Sequence, residues 1–507
     1  MDGRREDRYQ QPIGQSWLHR ELGLAVPEPA VMSFTVSGAR RTEVHDNRTY
    51  EFYPQQYAVE PTPIENVRFA LRHEPFDLGV MIAAMRAIGP TGFEQWGRRE
   101  PTGSHSRRAW FFYERLLGEK LDLPDVKRGN YVHALNPRQH VGLQTRRNSK
   151  RHRVIDNLLG GPKLCPVVRQ TERLRTAREA RLDEEARKLL ARYDRTVLMW
   201  AVNYLFTKET RSTFAIEGER PSADRATRFV DVLRRAASID VADSAGLVAL
   251  QGAIVDPRYA AAGWRDFQNF VGQTISGYRE EVHFISPKPA DVADLMAGWR
   301  DLYRRLIDDD IDPVLAAAVV AFSFVFIHPF QAGNGRIHRF LIHHVLARRG
   351  YSPSKTIFPV SAAIVRQQQQ YDEALEAFSR PLFEHIEWDW SQDGDLVVQN
   401  DTHHLYRYFD ATRFVEFLYD RIADTIRIDL EEELGFMTVF DSALQGVREI
   451  VDMPDRRASL LVRSIMQNGG ELSGRKREQF IELSDEEISR LEDAVSRAMA
   501  LAGADAL

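Results

Sequence analysis

The longest apolar stretch of the chain, PVLAAAVVAFSFVFI, runs from Pro313 to Ile327 without a charged residue. It has no polar face, which predicts a helix covered on all sides by other helices. Fifteen residues make a helix about 22 Å long, short of the ~30 Å hydrocarbon core of a bilayer, so a buried helix is expected rather than a membrane span. Asp312 and Pro313 stand at its N-cap and first-turn positions. The acidic run DDDID before them reads as a solvated turn and cap, not a metal site.

The patterning on either side divides the chain into three segments. Residues 1–170 alternate weakly and are broken by Pro and Gly, as in SFTVSGARRTEVHDNRTYEFYPQQYAVEP, which predicts a mixed α/β region with one helix around SRRAWFFYERLLGEKL. Residues 171–400 carry long helical patterns, first one long helix or two joined ones through 171–219 with Gly218 as the stop. Glu280 to Pro289 alternates briefly and ends in prolines, predicting a small hairpin or flap. After the buried helix, RIHRFLIHHVLARRG predicts a second helix ended by Gly350, and QQQQ at 367–370 falls within a further helix. Residues 401–507 predict a helical C-terminal region with a candidate helix-turn-helix around NGGELSGRKR. The fold class is mainly α.

Composition narrows the function classes. A net charge of -5 and a pI near 6.3 give no global basic signal for nucleic acid. Local candidates for such contact are the Lys/Arg/His-rich stretch 127–153, which reads first as a solvated basic loop, and the C-terminal helices. Cys165 is the only cysteine, which excludes an intramolecular disulfide framework and any cysteine-built zinc site and fits a reducing cytosol. The N-terminus MDGRREDRYQQP has no apolar core of a signal peptide. A soluble, cytoplasmic protein without membrane contact is expected.

The chemistry concentrates in HPFQAGNGRIHR, residues 328–339. A buried helix ends at His328, the chain turns through Pro329 to Gly333, and a new helix begins near Asn334 to Arg336. Main-chain N–H groups at a helix N-terminus attract an anion such as phosphate. Gly333 and Gly335 let the chain come close to a ligand. Arg336 and Arg339, three apart, lie on one helix face and can hold two phosphates. His328 is placed for a general base. Elsewhere His338, His343 and His344 lack the i, i+4 spacing of a zinc pair. Neither GxxxxGK[ST] nor GxSxG occurs. WDW at 388–390 and Tyr371 read as packing residues.

These twelve residues resemble the Fic (Fic/Doc) signature HPFx[D/E]GNGRxxR, with matches at His328, Pro329, Phe330, Gly333, Asn334, Gly335, Arg336 and Arg339. The resemblance implies a Fic-type helical bundle spanning about 196 to 390 with a short β-hairpin flap. It also implies protein adenylyltransfer: AMP from ATP onto a Ser, Thr or Tyr hydroxyl of a target protein, the expected partner. It assigns His328 as base, Gly333, Asn334 and Gly335 with the loop amides to the α-phosphate, and Arg336 and Arg339 to the β- and γ-phosphates. The stretch 280–289, with Val282 and Phe284, resembles the family's target-positioning flap. TFAIEG, from Thr213 through Glu217 to Gly218, resembles the inhibitory motif [S/T]xxxE[G/N], carried here on a helix of about 196–218. Its glutamate would occupy Arg339, since a carboxylate and a phosphate compete for one guanidinium fork. The flanks vary among long bacterial members, so 1–170 receives no role, and self-association stays open.

The sequence departs from the pattern at Ala332, where the family carries the acid that holds Mg²⁺. Alanine cannot ligate a metal and Gln331 is a poor substitute. The resemblance therefore implies ATP as donor with weakened Mg²⁺ binding and no protein metal ligand. Two readings compete with a braked transferase: a nucleotide-binding regulator with little or no transfer or with another phosphate donor, and a DNA-binding partner in a toxin–antitoxin-like system.

Overall fold

The computed structural model describes residues 11–45, 48–275, 279–353 and 356–504. The protein is mainly helical with small sheets. Met1–Ala180, Thr213–Tyr351 and Ile364–Asp420 form one compact unit, and Arg181–Ser212, Ser352–Ala363 and Arg421–Leu507 form another. The chain thus enters each unit more than once. Among the described residues no helix is long and apolar enough to cross a membrane.

The buried helix forms over Pro313–Ile327, with every side chain from Val314 to Ile327 buried. Asp312 caps it, accepting from Val314 N and Leu315 N at 3.0 Å. Trp299, on the helix Pro289–Ile307, is fully buried and donates Nε1–H to Val320 O at 2.9 Å. The acidic run ahead of the helix is more than a solvated turn. Asp309 is buried and accepts from Gln144 N at 2.9 Å and Thr145 N at 2.7 Å, which ties the N-terminal region to the core. A buried carboxylate is stable there because backbone donors replace its water.

The pattern over 171–219 resolves into three helices, Glu172–Glu179, Leu182–Leu190 and Arg195–Ile216. Arg181 adopts a left-handed backbone (φ 48°) that breaks the first junction. At the second, Asp194 accepts from Thr196 N and Val197 N as an N-cap.

The N-terminal region holds a four-stranded sheet in the order Gln11–Pro12, Val31–Val36, Arg48–Pro54, Arg41–His45. Val31–Val36 and Arg48–Pro54 run parallel, with Val31 opposite Thr49. The helix expected around 106–121 spans Ser104–Phe112 and continues as a π turn over Tyr113–Leu117, ended by Gly118. The basic stretch 127–153 is partly built into this region. Arg151 chelates Glu114 and pairs with Asp125, and His152 is buried against Glu114 at 3.0 Å.

In the other unit, Glu431–Ile450, Asp455–Gln467 and Asp485–Ala504 bury Leu444, Val447, Leu461, Ile465, Leu491 and Val495 in one core. Between the last two helices the chain turns at Gly469 and Gly470 and makes one helical turn, Gly474–Arg477. Its Arg477 pairs with Glu492 at 3.2 Å.

Candidate active site

The buried helix stops because His328 takes a left-handed backbone (φ 52°, ψ 57°) as its C-cap, an uncommon conformation for a residue with a Cβ. The loop packs Phe330 into the core beside Trp264, and Gly333 (φ 89°) starts the helix Asn334–Arg348. Asn334 ties the loop together through its side chain. Its Oδ1 accepts from Phe330 N at 3.0 Å and its Nδ2 donates to Phe330 O at 2.7 Å. Gln251, fully buried, donates to Ala332 O at 3.2 Å from the other side.

His328 is partly buried, and its Nδ1 lies 3.1 Å from Val325 O. A carbonyl only accepts, so Nδ1 carries the proton and Nε2 keeps its lone pair. Burial pushes the imidazole down to about 4, against smaller opposing effects of the Val325 bond and Glu217. The ring is therefore neutral at physiological pH, as a proton acceptor has to be.

Arg339 and Glu217 meet at 2.6 Å (Nη2 to Oε1). Thr213 completes the contact: its Oγ1 accepts from Arg339 Nε at 2.6 Å and its carbonyl from Nη2 at 2.9 Å. Tyr371, read from the sequence as packing, is buried but also hydrogen-bonds Arg339. Burial alone would raise the Glu217 carboxyl, yet Arg339, Arg336 and His328 together hold it below the ordinary carboxylate range.

Local backbone chemistry aims this glutamate. Gly218 (φ 68°) ends the helix Arg195–Ile216, and the returning bonds Gly218 N to Ala215 O (3.0 Å) and Glu219 N to Phe214 O (3.0 Å) make a Schellman turn. Glu217 is its C-cap, where the helix dipole disfavours a carboxylate. The arginines of the loop offset that cost. Contact also requires Gly335, because a Cβ there would lie 2.2 Å from Glu217 Oε1.

Arg336 is buried and pairs with Glu219 at 3.2 Å, while Glu219 also accepts from Arg225 at 2.9 Å. Both guanidiniums stack on the Phe214 ring at 5.1 Å. None of Phe214, Glu219 and Arg225 was singled out by the sequence reading. The only hint was the repeated acid in EGE, residues 217–219.

The flap is a hairpin of Phe270–Ile275 and Arg279–Ile285, with Gly272 opposite Val282 and Val271 opposite Phe284 across a bulge. The expected span 280–289 holds its second strand; Pro289 already opens the helix Pro289–Ile307. Phe284 is buried, its ring 6.4 Å from that of His328. Arg265 joins flap to loop. It donates to His328 O (2.8 Å), Phe267 O (2.7 Å) and Pro287 O (2.5 Å), and its N–H reaches Pro329 O at 2.9 Å. Burial lowers it to about 10, still charged at neutral pH. No local sequence pattern marked it. Trp390 of the strand Trp388–Trp390 packs edge-on against Phe270 of the flap.

His338 and His344 of the following helix are fully buried. His344 bonds Tyr303 Oη and Ala236 O, each at 2.7 Å, and His338 is buried against Phe322.

Together these features define a mainly helical protein built around a helix-N-terminal loop with two arginines, a neutral imidazole at its rim and a carboxylate lodged on one arginine. Residues 242–346 match the model of the Fic/DOC family. This segment, about a fifth of the chain, is the part that is similar to the Fic/DOC family. Relatives include "Protein adenylyltransferase Fic" of Drosophila willistoni, 39% identical over 69 residues, 14% of each chain. The protein of the same description from Nematostella vectensis is 31% identical over 99 residues, 19% of this chain and 21% of that one. The chain thus spans about a seventh to a fifth of the length of these relatives. Among solved structures, a Fic family protein from Desulfovibrio desulfuricans is 21% identical with a TM-score of 0.38, over 62% of this chain and 85% of that one.

The surroundings of Ala332 do not fit the metal that the Fic resemblance implies. Asp256 lines the same cleft but is engaged by Arg258 at 2.9 Å, and Glu217 and Glu219 are engaged by arginines. Among the described residues no three His, Cys, Asp or Glu side chains group as a metal site.

Proposed function

We propose that the protein is an autoinhibited protein adenylyltransferase that moves AMP from ATP to a side-chain hydroxyl of another protein. In this reading the hydroxyl oxygen bonds to the α-phosphorus, the bond from that phosphorus to the bridging oxygen breaks, and pyrophosphate leaves. The hydroxyl proton passes to His328 Nε2. Val325 O holds the imidazole in the tautomer that can accept it. Arg339 is the seat for a terminal phosphate, and Glu217 keeps that seat filled. The observation carrying the proposal is this last contact, a 2.6 Å carboxylate–guanidinium pair beside a neutral histidine.

Ala332 favours a second reading, a nucleotide-binding regulator with weak or no transfer. Label transfer from α-³²P-ATP separates the two. Glu217→Gly is expected to label itself or a target at least tenfold faster than wild type, and His328→Ala in that background to lose about a hundredfold or more. Nucleotide binding without label in Glu217→Gly would instead support the regulator.

A further inference from the structure

A cleft of about 440 Å³ opens beside Ala332, lined by Arg225, Arg336, Glu219 and Tyr259 and by Arg258 with Asp256, which pair with each other at 2.9 Å. Its charges do not balance. Glu219 is one carboxylate shared by two guanidiniums, Arg336 at 3.2 Å and Arg225 at 2.9 Å. Arg336 is almost fully buried, and its Nε and Nη1 have no hydrogen-bond partner; the same holds for Arg225 Nε. Buried donors without partners are rare in folded proteins and point to an absent acceptor. An acceptor with several oxygens and at least two negative charges would satisfy them and displace Glu219, and a phosphate chain has that chemistry.

We infer that Arg225, which lies outside the signature loop, binds the donor's phosphate chain in this cleft. Its guanidinium supplies there the positive charge that an acid-held metal would otherwise supply, and Glu219 occupies it in the resting state. The inference rests on the donor reading above. Arg225 sits on the first turn of the helix Ala223–Arg234, whose Ser222 N-cap fixes the approach without using the guanidinium. Phe214 carries Arg225 and Arg336 on one ring, so the turn bearing Glu217 and Glu219 also orients the cationic pair. A donor phosphate bound this way needs little from a metal, which accounts for a methyl group at 332.

The test is calorimetric titration of ATP and AMP, with Mg²⁺ or with EDTA, into the full chain carrying Glu217→Gly. Arg225→Ala and Arg225→Lys are compared in that background. Loss of a charge-assisted contact is expected to weaken ATP about tenfold or more in Arg225→Ala and to leave AMP within about twofold, with Arg225→Lys in between. EDTA is expected to change ATP affinity by less than about threefold. ATP binding that Arg225→Ala leaves within about twofold, or that needs Mg²⁺, overturns the inference and leaves the donor reading standing. If Glu217→Gly binds neither nucleotide, both fall together.

Discussion

Glu217 Oε1 lies 2.6 Å from Arg339 Nη2 across 122 positions of sequence, and the half-exposed glutamate neutralises a guanidinium that the fold buries. Arg339 is fully buried, and Glu217 caps the C-terminal end of a helix. Without the glutamate the fold would leave the guanidinium charge uncompensated.

Removing the glutamate therefore costs stability that an anion restores. Glu217→Gly is expected to lose about 1.5–3 kcal/mol, the range for a hydrogen bond to a charged group. ATP should raise its melting temperature well beyond its effect on wild type, in proportion to ligand concentration over Kd. Thermal denaturation across an ATP series checks this. Equal ATP shifts in both proteins would show that Glu217 does not compete with phosphate.

The pair also predicts a pH signature of stability. Glu217 is held below its ordinary value of 4.5, so its contribution is fully present above that pH and is lost as pH falls through the folded value. Urea denaturation of wild type and Glu217→Gln should differ by a constant amount above pH 5, and the curves should converge below it.

His328 predicts a pH signature of activity. Its imidazole sits at about 4 rather than 6.5, so it accepts protons throughout the neutral and mildly acid range. Glu217 pushes it up, so Glu217→Gly moves it further down. Label transfer by Glu217→Gly should stay flat from pH 8 to about 5.5, where an ordinary histidine would already have cost about tenfold. A half-maximum near 6.5 would contradict a buried neutral base.

A sign-changing mutant cycle tests the fit of glutamate to loop. In the wild type, Gly335→Ala drives a methyl group to 2.2 Å from Glu217 Oε1 and destabilises. In the Glu217→Gly background only the milder contact with Arg339 Nη1 at 3.3 Å is left, and alanine in a helix is worth up to about 1 kcal/mol over glycine. Denaturation midpoints of the four proteins give the coupling directly.

Arg265 is expected to matter more than its exposed neighbours. Arg265→Ala strips the donor from the carbonyls of His328, Phe267 and Pro287 and should cost about 3 kcal/mol or more. Amide exchange over 270–275 and 279–285 should accelerate with it. Arg265→Lys restores one contact at most, because a single ammonium cannot span a three-carbonyl fork.

What the sequence determined by itself is whatever depends on neighbours in the chain. The apolar run specified a helix buried on every side, Asp312 and Pro313 specified its start, and HPFQAGNGRIHR specified the loop and its arginines. TFAIEG specified a helix stop with a glutamate beside it. Tertiary structure decided everything that required segments to meet. It buried Asp309 against residues 144–145. It also brought Arg265, Gln251, Tyr371 and Arg225 to a loop more than thirty positions away from any of them. Periodicity and capping are local energies that any short window contains. The pairing of a buried charge is settled only by which partner the packed chain brings within about 3 Å of it.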